Sequence, residues 1–322
     1  MNTHRKIAAI VVAALAVLGV VGCGSSNKDS AADSLTLAWV VDPSWAQVPV
    51  ANDLGYFKQH GVNVKIVPFP TGAAALEALA GGAVDVANGG DVPTSAAALK
   101  NPNLRVFADG AIWPEGRFVA RRSAGIDSIS DLAGRKIAVP LGSSAHYFAS
   151  RFLSEVNVKA DLIQTGPAEI VTAITNHNVD AIAVFQPALA KAVAALGGDA
   201  IELQGKQKYN QHSLYLANAN VLESKKQAVG KFVAAIRNAD APLSGKDPAA
   251  LAAVAKATGL DNSLINQVSS EFKYQTHLGS ELAGDLADRA RWAQSIGRIP
   301  ADQHIPDYQN VIVGSFVTES NS

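Results

Sequence analysis

From Leu35 onward, short β-rich runs alternate with Ala/Leu-rich helical stretches, and the whole pattern occurs twice at an offset of 95 residues. Leu76, Leu79, Val84 and Asp85 fall on Val171, Ile174, Val179 and Asp180, while Thr71-Gly72 falls on Gly166-Pro167 and Asp91 on Gln186. Alternation of this kind specifies an α/β fold, because each strand buries its apolar face under the helix that follows it. The first half predicts strands at Leu35–Val41, Asn63–Pro68, Ala83–Ala87 and Leu104–Ala108. Between them it predicts helices at Gln47–Gln59, Ala73–Ala80 and Pro93–Leu99. The second half predicts a helical turn at Ile129–Leu132 and strands at Lys136–Val139, Asp161–Gln164 and Ala181–Val184. Its helices are Ala145–Glu155, Ala168–Thr175 and Pro187–Ala195.

Two similar halves imply two lobes with a cleft between them. The remainder, from about Leu222, reads as mainly helical: Lys225–Ala239, Pro248–Thr258, Ser263–Phe272 and Ser280–Ile296. Two short extended runs, Phe118–Arg121 and Leu214–Ala217, bracket the second half and read as paired hinge strands. The first lobe is then discontinuous, residues 35–119 with 215–322, and residues 120–214 form the second. With 322 residues, each lobe is long enough to bury a core of its own.

The N-terminus reads as an export signal over residues 1–22. His4, Arg5 and Lys6 precede an apolar stretch from Ile7 to Val21. The stretch ends in Val20-Val21-Gly22-Cys23, which resembles a bacterial lipobox, with the sole cysteine at the residue that is lipidated. Residues 23–34, small and polar, read as a flexible tether. The expectation is a protein outside the cell membrane, held to it by lipid. Apart from that first segment, no run approaches the roughly 18 apolar residues of a spanning helix. A formal net charge of −1 makes no electrostatic case for nucleic acid.

In an open α/β sheet, ligands sit beyond the carboxyl ends of the strands. The residues expected there are Asp42, Ser44 and Trp45 after the first strand, Thr71-Gly72 after the second and Gly90-Asp91 after the third. In the second half they are Ser143, Ser144 and His146, then Thr165-Gly166-Pro167, then Phe185-Gln186-Pro187. A helix N-terminus offers unpaired N–H groups and about half a positive charge, and Ser or Thr adds an O–H donor. Thr71-Gly72 and Ser143-Ser144 therefore read as anion cradles. The same residue types are also the best ordinary N-caps. Trp45, Trp113, Tyr147 and Phe185 are candidates for apolar walls, and Asp91 and Glu115 for carboxylates facing a ligand. No histidine pair at i, i+4, nucleophile elbow, P-loop or dinucleotide fingerprint is present. The reading is a binding protein without metal or cofactor, not an enzyme.

Four segments carry a family resemblance: the run from Val139 to Phe152, Asp53–Phe57 with Gly61–Val64, Ala75–Leu79 through Val84-Asp85 to Gly90-Asp91, and Asp131–Val139. In order along the chain they resemble the substrate-binding lipoproteins of nitrate/sulfonate/taurine ABC importers. The resemblance implies a two-lobed periplasmic-binding-protein type II fold, acting as a monomer. That fold closes over a small anionic ligand and delivers it to an ABC permease with its ATPase. It also implies that ligand loops map to Asp42–Trp45, Thr71-Gly72, Gly90-Asp91, Ser143-Ser144 and Gln186. Gly142–His146 is most similar to the alkanesulfonate and taurine branch, so an aliphatic sulfonate is expected. Relatives commonly carry an acidic residue where this chain has Gln186, which argues against a required amine. Taurine, nitrate, an aromatic acid or a thiamine-precursor pyrimidine on the same fold are the alternatives, as is an enzyme built on this scaffold.

Overall fold

The computed structural model describes residues 33–319. The signal segment 1–22, Cys23 and the tether up to residue 32 lie outside the described residues. Ser34, expected in the tether, already opens the first strand.

Eleven strands are described: β1 (Ser34–Val40), β2 (Asn63–Phe69), β3 (Val86–Gly90), β4 (Leu104–Trp113), β5 (Phe118–Arg121), β6 (Lys136–Val139), β7 (Asp161–Gln164), β8 (Ala181–Ala183), β9 (Ala200–Leu203), β10 (Gln211–Asn218) and β11 (Lys273–His277). They form two sheets, ordered β2-β1-β3-β10-β4-β11 and β7-β6-β8-β5-β9. The repeat is visible in both. β1 pairs in parallel with β2 and β3, and β6 pairs in parallel with β7 and β8. Leu37 lies opposite Val86 in the first sheet, and Ile137 opposite Ala181 in the second. Asp85 Oδ2 accepts from the Thr36 N–H at 2.8 Å, and Asp180 Oδ2 from the Lys136 N–H at 3.0 Å. Repeated aspartates thus pin the same strand start in each half.

The two expected hinge strands do not pair with one another. β5 pairs antiparallel with β8 and β9, and β10 pairs antiparallel with β3 and β4. Each fills the place beside the third parallel strand of its own sheet. The expected boundaries at 119/120 and 214/215 fall inside these strands, so the chain crosses between sheets at 114–117 and 204–210. Gln47–Gln59 is also not one helix: it splits into Gln47–Asp53 and Tyr56–Gln59 at Gly55, whose φ of +78° suits a residue without Cβ.

One core packs around the first sheet, with Leu37, Phe107, Tyr215 and Phe232 fully buried. The other joins the second sheet to the C-terminal helices Pro248–Thr258 and Asn262–Ser269. Trp113, ending β4, stacks on Phe272 at 6.2 Å and meets Phe148 edge-on at 6.4 Å. β11 interrupts the C-terminal part expected to be helical and adds the edge strand beside β4.

Candidate functional site

The loops at the carboxyl ends of β1, β2 and β3 and those of β6, β7 and β8 line one cleft of about 200 Å³. The first sheet supplies Asp42, Trp45, Thr71, Gly72 and Gly90. The second supplies Gly142, Ser143, Ser144, Gln164 and Phe185.

Two helices begin at this cleft, Gly72–Ala80 and Ser144–Glu155. Thr71 caps the first, its Oγ1 accepting the Ala74 N–H at 3.3 Å, and Ser143 caps the second, its Oγ accepting the Ala145 N–H at 3.1 Å. Capping uses an oxygen lone pair and leaves the hydroxyl hydrogen for a ligand, so cap and cradle are compatible roles. Both helix dipoles add positive potential at the same place. The sheets approach closely here: a Cβ on Gly90 would lie 3.0 Å from Ser144 Oγ.

Asp42 is the only ionisable side chain among the described residues of the cleft wall. Its Oδ1 accepts from the Ser44 N–H at 2.7 Å, and burial pushes its carboxyl up to about 7. At neutral pH it is therefore poised between an O–H donor and an anion. Gln211, which the sequence reading did not single out, also lines the cleft, and its Oε1 is buried without a hydrogen-bond partner. Trp45 lines the cleft with its ring while its indole N–H donates to Leu214 O at 3.2 Å.

Four of the expected ligand residues stand elsewhere. Asp91 is fully buried and engaged by other groups: Tyr209 Oη donates to Oδ1 at 2.5 Å, Ser144 Oγ at 3.0 Å, and Arg289 Nε donates to Oδ2 at 2.9 Å. It ties the first-sheet helix Asp91–Lys100 to Ser144, which opens the second-sheet helix. Gln186 donates to Glu271 Oε2 at 3.0 Å and accepts the Ala190 N–H at 3.1 Å, so both ends of its amide are taken. His146 accepts the Gly142 N–H at 3.2 Å and packs edge-on against Trp292 at 5.0 Å. Burial, with Arg298 nearby, lowers it to about 4, so it is a neutral prop for the Gly142–Ser143 loop. Ser44 is buried behind the wall, its N–H serving Asp42. Of the expected wall aromatics, Trp45 and Phe185 line the cleft. Trp113 is spent on Glu271 (2.9 Å), and the Tyr147 ring lies under the Arg289 guanidinium, 4.7 Å from ring centre to Cζ. Glu115 is not in the cleft wall.

Arg289 extends the buried network. It pairs with Asp285 at 3.0 Å, and His212 lies between Asp285 at 3.0 Å and Asp109 at 2.6 Å. Burial opposes a charged imidazole, but the two carboxylates outweigh it and raise His212 to about 10.

Residues 42–250 match the family described as NMT1/THI5 like. The chain belongs to this family. It is 29% identical over 198 residues to the "Putative aliphatic sulfonates-binding protein" of Escherichia coli (strain K12), a match covering 60% of this chain and 62% of that protein. The chain thus spans less than two thirds of that relative. It is 24% identical over 307 residues to the taurine-binding periplasmic protein of the same organism, covering 88% of this chain and 92% of the relative. Among solved structures, the periplasmic aliphatic sulphonate binding protein SsuA from Escherichia coli superposes with a TM-score of 0.75 at 23% identity. That match covers 87% of this chain and 97% of the other and shows a shared fold.

Proposed function

We propose that this protein is the extracytoplasmic solute-binding component of an ABC importer. It captures an aliphatic sulfonate between a lobe built on the first sheet and a lobe built on the second, then delivers it to a permease with its ATPase. The observation that carries the reading is the meeting of two capped helix N-termini, Thr71-Gly72 and Ser143-Ser144, at one cleft. Three acceptor oxygens of a sulfonate need several converging N–H and O–H donors, and these two turns offer them from opposite sheets. Relatives named for sulfonate and taurine binding support the ligand class and an extracytoplasmic location. Cys23 is the proposed lipid anchor. The reading calls for capture and release, with no turnover and no cofactor.

A second reading, an amino-sulfonate, is favoured by Asp42 and the unpaired Gln211 Oε1, both acceptors for an ammonium. Calorimetric titration with short and long alkanesulfonates, taurine, an aromatic sulfonate, nitrate and sulfate distinguishes them. Tight binding of an amine-free alkanesulfonate is the expected result, and taurine binding alone would support the second reading. Silence toward every sulfonate, from folded protein, would remove both.

A further inference from the structure

A second cavity of about 410 Å³ adjoins the first, and Ala73, Pro93, Leu141 and Gly142 belong to the walls of both. It is walled by helices Gly72–Ala80 and Asp91–Lys100 on one side and by Trp292 and Ile299 on the other. Leu76, Val92, Ala97 and Leu104 make most of its surface apolar. Three ionisable residues also line it, Glu77, Lys100 and Arg298, so cations outnumber the carboxylate. Neither cationic side chain has a salt bridge or hydrogen bond among the described residues. The Arg298 guanidinium packs on Gly142 so closely that a Cβ there would lie 2.5 Å from its Nη1, which puts the cation at the junction of the two cavities. The Trp292 indole N–H is buried with no acceptor.

An apolar wall calls for hydrocarbon, and unpaired donors at its margin call for acceptor oxygens. We propose that the two cavities form one elongated site. The sulfonate lies at the Thr71 and Ser143 turns, an apolar arm passes Arg298 at the junction into the second cavity, and Lys100, at the far end of the helix that opens at Asp91, pairs with a second anionic group at the end of that arm. This rests on the sulfonate reading above and narrows it to long, doubly anionic organosulfonates.

The test is calorimetric titration of the full chain with butanesulfonate, octanesulfonate and the eight-carbon sulfonate whose far end is a carboxylate. Octanesulfonate is expected to bind more tightly than butanesulfonate, by up to roughly fourfold for each methylene buried. The terminal carboxylate is expected to add a further severalfold. Ala97→Trp, or the milder Ala96→Leu, should weaken the long ligands and leave butanesulfonate unchanged, which also reports that the variant is folded. Lys100→Ala should erase the gain from the carboxylate and leave octanesulfonate as it was. Equal affinity along the series, or a carboxylate gain that survives Lys100→Ala, would overturn the proposal while leaving the sulfonate reading intact. If butanesulfonate and its longer relatives all fail to bind, both readings fall together.

Discussion

Asp42 puts a titratable group in the cleft wall with no cation beside it, and the sign of its effect on a bound anion follows from that. An anion bound nearby favours the protonated carboxyl, which donates a hydrogen bond; the carboxylate repels it. Because burial holds Asp42 near 7, affinity for an amine-free sulfonate should be highest below pH 7 and fall as pH rises through it. Asp42→Asn should abolish this dependence, as read by titrations at pH 6 and pH 8 (roughly one unit either side of the Asp42 value). A ligand carrying an ammonium should show the opposite trend. Stability shifts in the same sense. The folded carboxyl holds its proton to about 7, whereas its ordinary value is 3.8, so burial of Asp42 destabilises the fold progressively as pH climbs through that interval. Asp42→Asn should therefore flatten the thermal midpoint across it.

At the scale of elements, the cleft is made by helix starts, and their caps are the variants to make. Thr71→Ala and Ser143→Ala each remove an N-cap, with a stability loss of about 1 kcal/mol. Each also removes a hydroxyl donor to an anion, a hydrogen bond contributing about 1.5–3 kcal/mol, so sulfonate affinity should fall roughly tenfold or more. Thr71→Ser should retain it; unchanged affinity in both alanine variants would remove these turns from the site. Much of this was legible in the sequence. The 95-residue repeat reproduces the equivalent strand pairings and the Asp85 and Asp180 bonds, because local patterning and parallel pairing agree in each half. β5 and β10 pair within their own sheets and not with each other, because partner choice among short extended runs depends on contacts far apart in the chain. β11 lies in the short gap between two expected helices, Ser263–Phe272 and Ser280–Ile296, where five residues with Tyr274 and Thr276 buried between more exposed neighbours are too brief a pattern to mark a strand. Asp91 and Gln186 follow strand ends in the sequence as ligand residues would, but they are engaged outside the cleft wall by Arg289 and Glu271, from a C-terminal part that no motif marks. Gln211 and Arg298 carry no local signal, and only tertiary placement reveals them.

For the whole molecule, the Asp91–Arg289–Tyr209–Ser144 cluster is the buried polar contact that ties the helix after β3 to the helix after β6. Arg289 would keep Asp285, but the buried Tyr209 and Ser144 hydroxyls would lose their shared acceptor, so Asp91→Ala should destabilise by about 2–4 kcal/mol in chemical denaturation. It should also favour separation of the lobes, since the contact it removes bridges a helix of the first sheet and a helix of the second. A loss under 1 kcal/mol (roughly the value of an exposed pair) would show that the cluster does not hold the lobes together. The central claim, that a sulfonate is held between two opposed helix N-termini, is tested most directly by a crystal structure with an alkanesulfonate located by the anomalous signal of its sulfur. The account predicts that sulfur within hydrogen-bonding reach of both the Thr71-Gly72 and the Ser143-Ser144 turns. A sulfur bound at one turn only, or outside the cleft altogether, would contradict it.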